Sequence, residues 1–187
     1  MKCNVYDFDK TIYAKNSETQ FIFYLFRHQP KTLLNVFNVI TAFLGYTFKI
    51  ISKQRMKERF WHCLNYVKDV DKALDDFWDK EKANIFPYYL KNHQPDDVVV
   101  SASTEFILRP IMKILDIKYC YASKVDKHTG KYQSNNCYGE EKVVRLLAEM
   151  PEVEIEEFYS DSHSDDPLAK MSKKAYIVKK GELEPWN

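Results

Sequence analysis

Short apolar runs bounded by polar residues recur along the chain, which is how buried strands read. The first closes at Val5-Tyr6, the second is Val98-Val99-Val100, and the third covers 117–121. A fourth is Phe158-Tyr159 and a fifth covers 175–178. Helical stretches at 105–115 and 139–149 follow the second and third runs. This alternation predicts an α/β fold: a mostly parallel sheet between two layers of helices. Each early run ends in a polar cluster at Asp7, Ser101, Ser123 or Asp161. In such sheets ligands bind beyond the carboxyl ends of the strands, where these clusters fall.

Two segments interrupt the alternation. Residues 125–132 read as a small hairpin turning at Thr129-Gly130. Residues 13–95 hold no strand pattern and read as helices, punctuated by Pro30, Pro87 and Pro95. Ser17-Glu18-Thr19-Gln20 has the form of a capping box opening the first of them. The predicted organisation is a core of residues 1–12 and 96–187, with a helical cap of residues 13–95 inserted between its first two strands. Within the cap, residues 32–48 carry no charge. Asn35, Asn38, Ala42, Gly45, Lys49 and Ser52 recur at steps of three and four, one narrow polar stripe on an otherwise apolar helix. The stretch is open to three readings: a buried cap helix, an interfacial membrane helix held by its flanking cations, or a spanning segment.

Length and composition narrow the class. At about 150 residues per domain, 187 residues make one domain with an insertion. Twenty-eight basic against 27 acidic side chains give +1, so no overall electrostatic footprint for nucleic acid exists. The charges are nevertheless unevenly placed. Residues 19–68 hold eight Lys/Arg and the single acid Glu58, whereas 149–166 hold eight acids and no Lys/Arg. A basic mouth attracting an anionic substrate is one consequence, and a solvated helical face is the other. Cys3, Cys63, Cys120 and Cys137 are too scattered for a zinc site or disulfide framework. With no apolar leader after Met1, the expectation is a reduced, cytoplasmic protein.

Candidate chemistry begins at Asp7-Phe8-Asp9-Lys10-Thr11, directly after the first strand. Two carboxylates at i and i+2, where a strand begins to turn, can face one small site. Ser101 lies in Val-Val-Val-Ser-Ala-Ser, and Lys142 opens a helix in Gly139-Glu140-Glu141-Lys142. Asp161-Ser162-His163-Ser164-Asp165-Asp166 follows the fourth run.

In this order and context the four motifs resemble the haloacid dehalogenase (HAD) superfamily, and more closely its phosphoserine-phosphatase-like branch (subfamily IB). The resemblance covers residues 1–12 and about 96–187, and implies a three-layer Rossmann-like core with a helical cap. It also implies a Mg²⁺-dependent phosphomonoester hydrolase working through an aspartyl-phosphate on Asp7. Asp7 would be nucleophile and carboxylate ligand, and Asp9 general acid and base and carbonyl ligand. Asp161 would be a second carboxylate ligand, with Asp165 behind it positioning water or Lys142. Lys142, Ser101, Ala102 and Thr11 would serve the phosphate, Thr11 by a hydrogen bond near the nucleophile.

The branch's namesake carries Ser-Gly-Gly where this chain has Ser101-Ala102-Ser103-Thr104-Glu105. That Ser-Ala-Ser-x-Glu variant looks like a subgroup containing lipid-phosphate phosphatases. Two substrates therefore stay open: a small phosphorylated metabolite, or a lipid phosphate of the phosphatidylglycerophosphate kind met peripherally at the inner membrane face. Arg55 and Arg59, one helical turn apart, are candidate cap contacts to the substrate. A reading of another class is a receiver-like signalling domain with Asp7 as phospho-acceptor and Lys142 as its sensor. The sequence carries no signal of oligomeric state.

Overall fold

The computed structural model describes residues 1–187. Its strands are β1 (Lys2–Tyr6), β2 (Val98–Thr104), β3 (Tyr119–Ser123), β4 (Glu154–Ser160), β5 (Ser172–Lys179) and β6 (Glu182–Pro185). They form one sheet in the order β3-β2-β1-β4-β5-β6. Every pairing is parallel except the antiparallel edge pair β5–β6. The strands sit within a few residues of the apolar runs that announce them. Strand β6 has no such run, and all four of its residues are exposed.

The helices are α1 (Ser17–His28), α2 (Val36–Thr47), α3 (Lys53–Trp61), α4 (Val70–Glu81), α5 (Pro87–Asn92), α6 (Glu105–Ile114), α7 (Glu140–Glu149) and α8 (Asp166–Ala169). Alternation along the strands splits the core between the two faces of the sheet. Cys3, Val5, Val98, Val100 and Phe158 pack with Leu146 of α7 and Leu168 of α8. Tyr6, Val99 and Tyr159 pack on the other face with α1, α4 and α6. Three layers result, as the alternation predicts.

The helices α1 to α5 occupy the chain between β1 and β2. The two ends of this segment meet: Tyr13 bridges Ile85 antiparallel, and the Phe86 amide donates to the Ile12 carbonyl at 2.8 Å. Helices α1 and α4 do more than extend from the core. Phe21, Leu25, Phe77 and Trp78 share one continuous apolar cluster with Phe8 of the core and Ile107 of α6.

Helix α1 begins differently from the capping box its sequence suggests. The cap is Asn16, whose side chain accepts from the Thr19 amide at 2.9 Å. Ser17 is already inside the first turn, where its backbone N–H is drawn to Asp9 instead.

The uncharged stretch is also arranged differently from one long helix with a polar outer stripe. It divides into a 3-10 turn (Pro30–Asn35) and α2. Of its stripe, Asn35, Ala42 and Gly45 face inward, whereas Asn38, Lys49 and Ser52 are exposed. Asn35 donates to the carbonyls of Arg59 and Phe60 at 3.0 and 3.1 Å, satisfying the C-terminal end of α3. Ala42 is fully buried, and a Cβ on Gly45 would stand 3.3 Å from the Ile51 side chain. The apolar residues face solvent: Phe37 is 75% exposed, Phe48 70% and Ile50 76%. The helix is therefore not buried. No helix is long and apolar enough to cross a membrane.

Candidate active site

Strand β1 lies at the point in the sheet where the connections diverge, with β2 on one side and β4 on the other. A crevice opens beyond the carboxyl ends of strands at such a point. Here it is a polar cavity of about 310 Å³, lined by Asp7, Asp9, Ser101, Lys142, Asp161 and Asp165 among others.

Each side chain arrives by a local structural cause. Asp7 leaves β1 with its amide donating to the Tyr159 carbonyl of β4 at 2.8 Å, which holds it at the sheet's end. The chain then turns sharply, with Lys10 in the left-handed region at φ 58°, a conformation that costs a non-glycine residue about a kcal/mol or more. Lys142 enters on the first turn of α7, whose preceding residue Gly139 has φ 59°. A side chain would be strained at that backbone. Asp161 and Asp165 lie just beyond β4, Asp165 in a 3-10 turn (His163–Asp165).

Lys142 is the electrostatic centre. Its Nζ donates to Asp7 Oδ1 and to Asp165 Oδ2, each at 2.7 Å, with its side chain only 2% exposed. Burial works against the ammonium, but the charges of Asp7 and Asp165 outweigh it and hold its pKa above the ordinary value. Ser160 adds a hydroxyl donor to Asp165 Oδ2 at 2.7 Å.

Asp9 is held by three donors: the Ser103 hydroxyl at 2.6 Å, the Ser17 amide at 2.9 Å and the Asn16 amide group at 2.9 Å. Burial raises its pKa, and the bonds from Ser103 and Ser17 oppose the rise. Burial likewise pushes Asp7 up to about 7 against the pull of Lys142. It also raises Asp161, with Lys10 opposing at 3.9 Å. Burial thus disfavours three ionised carboxylates around one cavity.

Seven of the expected site residues line this cavity: Asp7, Asp9, Ser101, Ala102, Lys142, Asp161 and Asp165. Thr11 does not. It is fully buried behind the turn, and its hydroxyl has no hydrogen-bond partner, so the expected bond near Asp7 is absent. Ser101 lies within β2 rather than at its end, where the ladder to β3 slips register between Ser101 and Thr104.

Arg55 and Arg59 also lie elsewhere, lining a separate cavity with His62 and Lys131. Two residues along a helix are about 200° around its axis, so the inward places on α3 fall to Lys53 and Lys57. Lys57 pairs with Glu18 at 2.8 Å and donates to the Ala102 carbonyl at 3.0 Å. Glu18 in turn accepts from the Thr104 amide at 3.1 Å, so one carboxylate joins α1, α3 and the end of β2. Lys53 stands 4.2 Å over the Tyr138 ring. These two lysines, with Asn16 and Tyr138, carry no motif in the sequence, and Ser17, Glu18 and Ser103 stand there only in the capping box and the Ser-Ala-Ser run. The i, i+4 spacing of Lys53 and Lys57 was the available signal.

The model of haloacid dehalogenase-like hydrolases matches residues 5–170. No curated protein matches the chain in sequence. Among solved structures, a Bordetella pertussis Tohama I protein of unknown function is 19% identical, with TM-score 0.77 over 93% of this chain and 88% of that one. A phosphoserine phosphohydrolase-like protein of Francisella tularensis is 16% identical, with TM-score 0.53 over 94% and 86%. A phospho-aspartyl intermediate analogue of phosphoserine phosphatase is also 16% identical, with TM-score 0.52 over 94% and 86%. With its parallel three-layer fold and the polar crevice at the end of β1, the chain belongs to the haloacid dehalogenase-like hydrolases.

Proposed function

We propose that the protein is a Mg²⁺-dependent phosphomonoester hydrolase that works through a phosphorylated Asp7. The observation that carries this reading is the Asp7–Lys142–Asp165 chain, with both ion pairs at 2.7 Å, facing a polar cavity. Lys142 supplies a fixed positive charge for the non-bridging oxygens of a phosphate, and Ser101 supplies a neutral hydroxyl.

The donor set suits the metal the family implies. No three Asp, Glu, His or Cys side chains converge to hold a metal by themselves, so a backbone carbonyl, water or phosphate would have to complete the set. The side chains of Asp7 and Asp161 with the carbonyl of Asp9 leave positions for water and phosphate, as Mg²⁺ prefers. Asp165 Oδ1 is buried without a partner beside them, an acceptor that would be left to orient water at the site. When bound, Mg²⁺ supplies the positive charge that lets an anionic nucleophile meet an anionic ester.

In the first step an Asp7 carboxylate oxygen bonds to phosphorus as the ester P–O bond breaks. Asp9 gives its proton to the departing alkoxide, which leaves as the alcohol. Burial, which raises its pKa, favours the protonated form this step needs. In the second step Asp9 takes a proton from water as the water oxygen attacks phosphorus. Inorganic phosphate leaves and the Asp7 carboxylate is restored. Ser103, Ser17 and Asn16 orient Asp9 for both transfers. A receiver-like switch, by contrast, has no need of a proton shuttle held this way, and membership in a hydrolase family lends it no support.

Steady release of p-nitrophenol from p-nitrophenyl phosphate, dependent on Mg²⁺ and lost in Asp7→Asn, is the test. Stoichiometric phosphate uptake without turnover would instead favour the switch.

For the alcohol half of the substrate, a small soluble metabolite is compatible with the polar cavity. The second reading is a lipid-linked phosphomonoester met at an anionic membrane surface. It is favoured by the outward face of the helical segment, where Leu34, Phe37, Ile40, Phe43, Phe48 and Ile50 are exposed. Lys31 and Lys49 bound the uncharged stretch in sequence, and residues 19–57 contain no acid. Apolar area combined with cations is the pattern of a helix seated on anionic lipid. Co-flotation with phosphatidylglycerol vesicles at low salt, weak with phosphatidylcholine, is expected. Absence of flotation removes this reading, and a dimer that excludes vesicles would give the face to a second copy.

A further inference from the structure

The catalytic cavity shares part of its wall with a second cavity of opposite character. This one measures about 290 Å³ and lies between α1, α2 and α3. Ile22, Phe23 and Phe26 of α1 line one side, Val39 of α2 another, and Met56 and Phe60 of α3 the third. Asn16, Glu18 and Lys57 line both cavities. The Glu18–Lys57 pair thus stands on the boundary between a polar chamber and an apolar one.

An apolar hollow is costly beside a site that binds only water-soluble groups, because its walls have no partner atoms to pack against. Here its position says what fills it. It adjoins the place where a phosphate ester would be held, and its wall includes the exposed apolar side chain of Phe23. A chain of hydrocarbon attached to a phosphate satisfies both.

We propose that the α1–α2–α3 hollow is a subsite for the hydrocarbon chain of an amphiphilic phosphate monoester whose phosphate lies at Asp7 and Lys142. This inference rests on the phosphomonoesterase reading above and names the substrate class for it. The polar end meets Ser101 and Lys142, the Glu18–Lys57 pair brackets the junction, and the chain runs between Phe26, Val39 and Met56. The reaction is unchanged: the P–O bond breaks, and the long-chain alcohol leaves with the proton from Asp9. Each methylene buried in the hollow strengthens binding by up to about fourfold.

The test is a series of alkyl phosphates from ethyl to dodecyl, each below its micelle concentration and without lipid or detergent, assayed by phosphate release. The expected result is a kcat/KM rising at least about tenfold along the series before levelling off. Val39→Trp and Met56→Trp, which fill the hollow from different helices, should each collapse the dodecyl-to-ethyl ratio toward one. Turnover of the whole series with no dependence on chain length overturns the subsite and leaves the phosphomonoesterase reading intact. A chain-length effect that survives both substitutions overturns its location. No turnover of any member overturns the parent reading, and the subsite with it.

Discussion

The hydroxyl of Ser103 lies 2.6 Å from Oδ2 of Asp9, across 94 residues of sequence. It is the shortest of the three bonds holding Asp9, and the Ser17 hydroxyl stands 3.2 Å from it in turn. A carboxylate that must both give and take a proton needs a fixed orientation. Ser103→Ala should therefore lower kcat about tenfold, the size of one hydrogen bond to a charged group, and change KM little. Steady-state kinetics check it. An unchanged kcat would mean that Asn16 and Ser17 suffice to hold Asp9.

Asp9→Asn separates the two halves of the reaction. Asparagine keeps the size of the side chain and one acceptor oxygen for the donors around it, but cannot serve as general acid or base. Good leaving groups should still phosphorylate Asp7, while hydrolysis stalls. Intact mass after mixing with p-nitrophenyl phosphate should show one added phosphate, absent in Asp7→Asn/Asp9→Asn. No added mass would remove Asp9 from the second step.

Lys142 is buried between two carboxylates, so removing its charge leaves both uncompensated. Breaking a buried pair from one side costs about 3–5 kcal/mol. Lys142→Met should lower the unfolding free energy by that order and weaken inhibition by vanadate. Adding Asp165→Asn to Lys142→Met should recover part of the stability and none of the vanadate binding. Recovery of both would make Lys142 a purely structural residue.

Asp97, fully buried before β2, offers a test of stability against pH. Burial raises its pKa, opposed by the Gln94 amide at 2.9 Å and by His93 at 3.2 Å, and its Oδ1 has no partner. A raised folded pKa means the folded protein holds this proton more tightly than the unfolded chain does. Stability from Asp97 is thus full below its unfolded pKa, about 3.9, and is lost as pH climbs through the folded value. Asp97→Asn should therefore gain on the wild type as pH rises above about 4 and through the raised folded value. Urea midpoints at several pH values measure this, and a constant difference would refute it.

The sheet and the catalytic crevice were legible in the sequence because both rest on local signals. Apolar runs end at Asp7 and Asp161, and in a parallel sheet such ends lie side by side. What was not legible depends on which way a helix turns. Lys53 and Lys57 differ from Arg55 and Arg59 only by rotation about α3, and composition does not record rotation. Helix α2 inverts the usual rule, since its small residues pack inward and its large ones face out. Periodicity located the stripe at Asn35, Ala42 and Gly45 but not the side it faces. Ser103 stands in the Ser-Ala-Ser run, but its bond to Asp9 is not legible there because the two lie 94 residues apart.

The union of α1 and α4 with the central apolar cluster has an evolutionary consequence. Those two helices cannot be exchanged for others without rebuilding the layer that covers β1, so they must change slowly and together. The loop of residues 29–52 between them contributes no member to that cluster and is bound by no such obligation. New preferences for what is attached to the phosphate can therefore arise in that loop while the reacting machinery stays as it is.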